Sequence, residues 1–363
     1  MSVYASILGH ERPIALLERA RKNGRVAHAY LFDGPDGVGK ERVAWAFAMA
    51  LNCQDALDAP CGRCDSCRTI ARNNHPDVRL LACEEEHARR IAQLSEEERA
   101  RRGLGDSERR TGRAPSAQIR NEDLNELTSL FTHRPYRGAS KVVLVVDAQR
   151  MNQSAQNRFL KSLEEPNADT VIILITSQPA ALLPTVRSRC QRLTFGPLSR
   201  ALVERFLVER QKLDRPTAQV VAAMSQGSLG RALQYIEQEN EDGLAVREQL
   251  LAQVAQIRTG DLADVLAAAE GFGEGGDGQR RLRDSLNILE LWCRDLILTK
   301  LQVNKQYVVN QDHLAELERT ANGLTVAALL RWMASVTRTR QSLAVNANPR
   351  LASEALWLAL RKT

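Results

Sequence analysis

The chain has 363 residues, enough for two or three domains each with its own core. Hydrophobic residues make up 44% and charged residues 26%, an ordinary globular balance, and the absence of any run of about 18 apolar residues argues against a membrane span and a membrane partner. The formal charge of +6 is weak support for a polyanion partner, because 44 acidic residues are interspersed with 50 basic ones, and an aromatic content of 4% gives base stacking no support.

In chain order, MSVYASILGHERP lacks a basic stretch followed by an apolar core, so no secretory signal is expected and the localisation is read as cytoplasmic. HAYLF (28–32) reads as a buried strand and leads into GPDGVGKE (34–41), where Gly34, four residues, Gly39 and Lys40 have phosphate-loop spacing. Val43, Ala44, Phe47, Ala48 and Leu51 then keep a helical period. Residues 84–116 carry eight acidic and eight basic side chains. Glu85–Arg89, Glu86–Arg90, Glu97–Arg101 and Glu98–Arg102 are spaced i,i+4, which predicts a solvated surface insertion, helical at first and flexible from about Gly103 to Ser116. KVVLVVD (141–147) and TVIILIT (170–176) are apolar on both alternating faces, as fully covered parallel strands are. The helix between them should stop before Pro166. After Pro197 only helical spacing remains, broken at Gly227–Gly230, at GFGEGGDGQ (271–279) and at NANP (346–349). The fold class is therefore α/β with a parallel sheet wrapped by helices, followed by all-α structure.

Strand, Gly-rich turn and helix together place backbone N–H groups around an anion at a helix N-terminus. Gly34, Gly37 and Gly39 allow close approach, and Lys40 supplies a point charge for the outer phosphates. The next position ordinarily carries a hydroxyl that ligates Mg²⁺, but here it is Glu41. A carboxylate 4 Å from a phosphate charge costs about 4 kcal/mol at an effective dielectric of 20. KVVLVVD ends in Asp147, where a metal-side carboxylate belongs, yet the following residue, where such ATPases place a water-orienting Glu, is Ala148. The loop thus reads as a degenerate nucleotide site that leaves ATP or ADP binding open, disfavours Mg²⁺ and lacks the means of hydrolysis.

Cys53, Cys61, Cys64 and Cys67 form C-x7-C-x2-C-x2-C, and clustering of this kind in a reducing cytosol points to a metal before disulfides. Four thiolates with no open position describe structural rather than catalytic zinc. Cys83, Cys190 and Cys293 lie apart and read as buried small side chains.

HAYLFDGPDGVGK, the cysteine cluster, RPYRGASKVVLVVDAQRM, NRFLKSLEEP and LLPTVRSRC occur in an order that resembles the clamp-loader subunits of bacterial DNA polymerase III. The altered loop, DAQR in place of an acidic pair, and NANPRLASEALWLAL resemble the delta-prime type more than the ATPase tau/gamma type. The resemblance implies an AAA+ RecA-like domain over 1–197, with a zinc module at about 53–67 and the charged insertion at about 84–116. A helical lid over 198–240 and a helical collar over 241–363 would follow. It further implies a hetero-pentameric ring with tau/gamma and delta subunits that acts on a sliding clamp and primer–template DNA. The SRC motif would make Arg189 an arginine finger acting in trans, and Thr176 falls at the polar sensing position. Active relatives carry an Arg directly after G-S-L in the lid, whereas GSLGRAL has Gly230 there and Arg231 one place later. An active ATP-hydrolysing subunit of the tau/gamma type is the alternative, and a zinc-containing nucleic-acid adaptor acting alone is disfavoured by the scarcity of aromatics.

Overall fold

The computed structural model describes residues 2–92, 116–124, 134–165, 169–237, 243–273, 275–344 and 347–361. The segment expected to be flexible (103–116) lies outside these residues except for Ser116, and the pairs Glu97–Arg101 and Glu98–Arg102 lie wholly outside them. The chain forms two compact units, Met1–Leu198 and Ser199–Thr363.

In the first unit, helix α1 (Glu11–Lys22) precedes strand β1 (Ala29–Asp33), helix α2 (Lys40–Asn52) and the short α3 (Asp65–Ala71). Strand β2 (Val78–Leu81) and helix α4 (Glu84–Ala92) follow, then β3 (Lys141–Val145), α5 (Gln153–Glu164), β4 (Thr170–Thr176), α6 (Pro184–Ser188) and β5 (Gln191–Thr194). The strands pair in the order β2-β3-β4-β1-β5, every pair parallel. All residues of β1, β3 and β4 are buried, as their two-faced apolar sequences require.

Because side chains alternate across a strand, these runs feed two separate cores. Tyr30, Phe32, Val142, Leu144 and Ile173 join Val43, Phe47 and Leu17 from α2 and α1 on one face, with Cys67 and Ile70 of α3 in the same cluster. Leu31, Val143, Val145, Ile172 and Leu174 meet Phe159 and Leu163 of α5 and Val186 of α6 on the other. The turn after β1 tolerates only glycine at its first position. Gly34 sits at φ 153, and a Cβ there would stand 2.1 Å from the carbonyl oxygen of Phe195. Glycine lets the loop start flush against the strand-end segment that follows β5.

The second unit contains helices α7 (Arg200–Arg210), α8 (Arg215–Met224), α9 (Leu229–Glu237), α10 (Gly243–Thr259), α11 (Leu262–Glu270), α12 (Gly275–Lys300), α13 (Leu314–Asn322), α14 (Val326–Ala344) and α15 (Pro349–Arg361), and no strand among its described residues. Their shared core includes Trp292, Trp332 and Trp357. The glycine-rich stretch at 271–279 interrupts the helices over a shorter span than its composition predicts, because α12 already begins at Gly275. Pro349 occupies the first turn of α15, and the Asn348 side chain accepts from the N–H groups of Arg350 (2.9 Å) and Leu351 (3.3 Å). Arg247 of α10 is almost fully buried, yet its guanidinium donates to Asn310 (2.8 Å), Asp312 (2.8 Å) and Glu248 (2.7 Å). Among the described residues no helix is long and apolar enough to cross a membrane.

Candidate functional site

The phosphate loop lies between β1 and α2, with Gly34, Gly37 and Gly39 all at positive φ. Its first anchor is Asp33, the last residue of β1, whose carboxylate accepts from Arg192 Nε (3.0 Å), Arg192 Nη2 (2.7 Å) and Thr194 (3.0 Å) on β5. Burial alone would raise the Asp33 pKa, but these donors outweigh it and hold the carboxyl below its ordinary range. His10 Nε2 lies 2.7 Å from the Val38 carbonyl and its ring packs edge-on to Phe195, which braces the loop from the other side. Lys40 is buried, and its ammonium donates to the carbonyls of Gly34 (2.6 Å) and Pro35 (2.7 Å) within the loop itself. Burial lowers its pKa, with Asp36, Asp147 and Asp33 opposing.

Glu41 is not the unpaired charge that the sequence suggests. Both of its oxygens accept from Arg90 of α4, each at 2.8 Å, and one also accepts from Trp45 Nε1 (3.1 Å). This fork outweighs burial and keeps the Glu41 carboxyl ionised below its ordinary range. The repulsion argued from an isolated carboxylate is therefore offset by a guanidinium, and the described part of the charged insertion does more than extend into solvent. Arg90 is held in turn by Glu86 (2.9 Å). Glu85 reaches Arg150 (3.0 Å) and Glu84 accepts from the N–H of Ser116 (2.7 Å).

Across the sheet end, Asp147 has a left-handed backbone (φ 51) and accepts from Gln149 Nε2 (3.1 Å), while Arg150 Nε lies 3.5 Å away. Burial, with Asp36 and Glu86 near by, pushes the Asp147 carboxyl up. Ala148 is fully buried in the core beneath β3 and β4, so no solvent-facing side chain stands at that position. Gln149 links the two strand ends, because its carbonyl also accepts from Thr176 Oγ1 (2.6 Å). Thr176 is buried and accepts from the Gln178 N–H (3.0 Å).

Arg189 caps α6. Its guanidinium donates to the Thr185 carbonyl (3.0 Å) and pairs with Glu164 of α5 (2.7 Å), with 36% of the side chain still exposed. The helices that hold it pack on the sheet face opposite α2.

The four cysteines converge before and within α3, with their sulfurs all within 4.8 Å of one another. Cys53–Cys64 and Cys61–Cys67 are 4.0 Å apart. Four thiolates around one tetrahedral ion with metal–sulfur bonds of about 2.3 Å stand roughly 3.8 Å apart, so the set fits a metal ion such as zinc. N–H groups of Cys61, Cys64 and Cys67 point at the sulfurs of Cys53 (3.5 Å), Cys61 (3.3 Å) and Cys64 (3.4 Å). Burial opposes ionisation of Cys61, but donors from Cys64 and Arg63 prevail and bring it down to about 6. Just before β2, Asp77 is buried and its carboxylate accepts three backbone N–H bonds from Tyr136 (2.6 Å), Arg137 (2.7 Å) and Gly138 (2.7 Å).

Asp77 and Arg90 shape the site without belonging to any motif read from the sequence, and Asp33 and Gln149, although inside HAYLFDGPDGVGK and DAQR, had no role assigned to them there. The only prior trace of Arg90 was its i,i+4 spacing from Glu86. A parallel sheet in this order, with a glycine turn and lysine after β1, defines an α/β domain of the P-loop class. Comparison with known proteins goes further: the family described as "DNA polymerase III, delta subunit" matches residues 9–199, and its C-terminal counterpart matches residues 241–362. The chain belongs to this DNA polymerase III delta-subunit family, as the order of its motifs leads one to expect. It is 32% identical over 214 residues to DNA polymerase III subunit delta' of Bacillus subtilis, covering 59% of this chain and 55% of that one. It is 37% identical over 165 residues to the delta' subunit of Pseudomonas aeruginosa, covering 45% and 42%. DNA polymerase III subunit tau of Escherichia coli is 28% identical over 344 residues, covering 93% of this chain and 47% of tau. These matches span about half the length of the curated relatives.

Proposed function

We propose that this chain is a delta-prime-type member of the clamp-loader ring of DNA polymerase III, a cytoplasmic protein that does not hydrolyse ATP by itself. Its work is to lend Arg189 to nucleotide held by the adjacent subunit while the ring places a sliding clamp on primer–template DNA. The partners are tau/gamma and delta subunits. Residues 198–240 serve as lid and 241–363 as collar, and Cys53, Cys61, Cys64 and Cys67 hold a structural zinc.

The observation that carries this reading is the position of Arg189, held by Glu164 and the Thr185 carbonyl and partly exposed, on helices packed against the sheet face opposite α2. A guanidinium so held suits charge stabilisation at a neighbour's γ-phosphate better than at its own loop. Ala148 offers no group to orient water, and Glu41 is committed to Arg90.

An active ATPase of the tau/gamma type is the second reading, favoured by the intact glycines and Lys40 and by a match to tau over 93% of this chain. Reconstitution with tau/gamma and delta separates the two. Under the first reading the isolated chain releases no phosphate over multiple cycles, and Arg189→Ala lowers DNA-stimulated turnover of a ring of normal composition. Sustained hydrolysis by the isolated chain, abolished by Lys40→Ala, would establish the second.

A further inference from the structure

In P-loop ATPases the divalent cation sits between the residue after the loop lysine and the carboxylate ending the third core strand, and it bridges the outer phosphates. Both positions here carry a carboxylate, and both carboxylates already have an internal cation. Glu41 is forked by Arg90 at 2.8 Å on each oxygen, and Asp147 has Arg150 at 3.5 Å. One helix holds both arginines, since Glu86 of α4 binds Arg90 (2.9 Å) and Glu85 binds Arg150 (3.0 Å). Each guanidinium is thus committed both to the carboxylate at a metal position and to a glutamate of α4, so Glu41 and Asp147 are already held from within the protein. Magnesium demands near-ideal octahedral oxygen geometry and gives up water reluctantly. Glu41 could join such a shell only by surrendering its fork to Arg90, a charge-assisted bidentate pair of the strong class.

The phosphate-binding half is nonetheless intact. Three loop glycines hold positive φ, the 13-residue helix α2 begins at Lys40, and the Lys40 ammonium rests on the loop carbonyls of Gly34 and Pro35, within reach of an entering anion. We infer that the loop takes the phosphates of a nucleoside di- or triphosphate free of metal, with Glu41 and Asp147 held by Arg90 and Arg150 and not by a divalent cation. This inference stands or falls independently of whether Arg189 acts in trans.

The test is titration of the full chain with a fluorescent N-methylanthraniloyl-ADP, with and without millimolar Mg²⁺. Metal should be removed by gel filtration rather than with a chelator, so that the four-cysteine cluster is left undisturbed. The expected result is binding whose affinity Mg²⁺ changes by less than about threefold. With manganese(II) in place of magnesium, electron paramagnetic resonance should show no protein-bound ADP–manganese signal. In the double variant Glu41→Thr/Arg90→Ala, which restores the hydroxyl and removes the fork, Mg²⁺ should strengthen binding by about tenfold. An affinity of the unaltered chain that rises about tenfold with Mg²⁺, a bound manganese signal, or no ADP binding under either condition overturns the inference. A folded double variant that ignores Mg²⁺ overturns the role given to the pair. Should that variant fail to fold, the titration of the unaltered chain decides alone.

Discussion

Glu164, at the end of α5, holds Arg189, at the end of α6, by a 2.7 Å ion pair. LEEP and SRC, which the sequence presents as two motifs about 22 residues apart, thus meet in one contact. An exposed pair of this kind contributes about 0–1 kcal/mol to stability, so its value is directional: it fixes where the guanidinium points.

Glu164→Ala should therefore leave thermal unfolding nearly unchanged and lower the ATP turnover of a reconstituted ring by less than Arg189→Ala does. The double variant should be no worse than Arg189→Ala alone, because both changes act through one group. Additive losses in that cycle would show that Glu164 acts by another route.

Asp77 offers the clearest stability prediction. Its buried carboxylate accepts three backbone N–H bonds from residues 136–138, which hold its pKa below the ordinary value even though burial pushes the other way. Asp77→Ala should cost about 3 kcal/mol at neutral pH in denaturant unfolding. A depressed native pKa contributes stability that is complete above the unfolded value and is lost as pH falls through the native one. The two proteins should consequently converge in stability under acid and diverge on return to neutrality.

Removing metal should lower the melting temperature of the first unit, because an ion held only by the folded cluster adds its binding free energy to folding, and without it burial drives the Cys53 and Cys67 sulfurs back to the protonated thiol. Elemental analysis should find about one zinc per chain. Cys61→Ser should lose that zinc and melt earlier, whereas Cys293→Ser, far from the cluster in sequence and buried in the other unit, should keep it. Equal zinc content in the Cys61→Ser variant would remove the metal assignment.

Gly34→Ala tests how closely the loop is seated. The new methyl would meet the Phe195 carbonyl at 2.1 Å while the backbone stays at φ 153, and the combined clash and strain should cost about 3 kcal/mol. Circular dichroism melts should show the loss. Nucleotide titration should show weaker binding in whatever fraction remains folded.

Much of the first unit was legible because burial on both faces leaves an unmistakable sequence: β1, β3 and β4 are apolar throughout and lie in the middle of the sheet. The edge strands were not legible. QRLT (191–194) is mostly polar and exposed, like a loop, and VRLL (78–81), though apolar apart from Arg79, is only four residues long, too short to show a period. The convergence of the four cysteines was legible because sulfurs that meet at one point from a short segment need close local spacing. The Arg90–Glu41 fork was not, since it joins residues 49 apart in sequence and no local periodicity encodes which acid a helix arginine will meet. Gln149 was hidden for a similar reason: its role is to span two strand ends, Asp147 and Thr176, which only the parallel order β3-β4 brings together.

The side-chain contacts described between α4 and the rest of the first unit are made by charged groups, to Glu41, Arg150 and the Ser116 N–H. The sheet owes its cohesion to two oily layers that dissolved ions scarcely affect, whereas this helix is moored by charge, and mobile ions weaken such moorings over a range of about 10 Å at 0.1 M. Ionic strength is therefore a control knob for this domain: dilute buffer grips the helix against the loop, and concentrated salt slackens it while the sheet beneath stays intact.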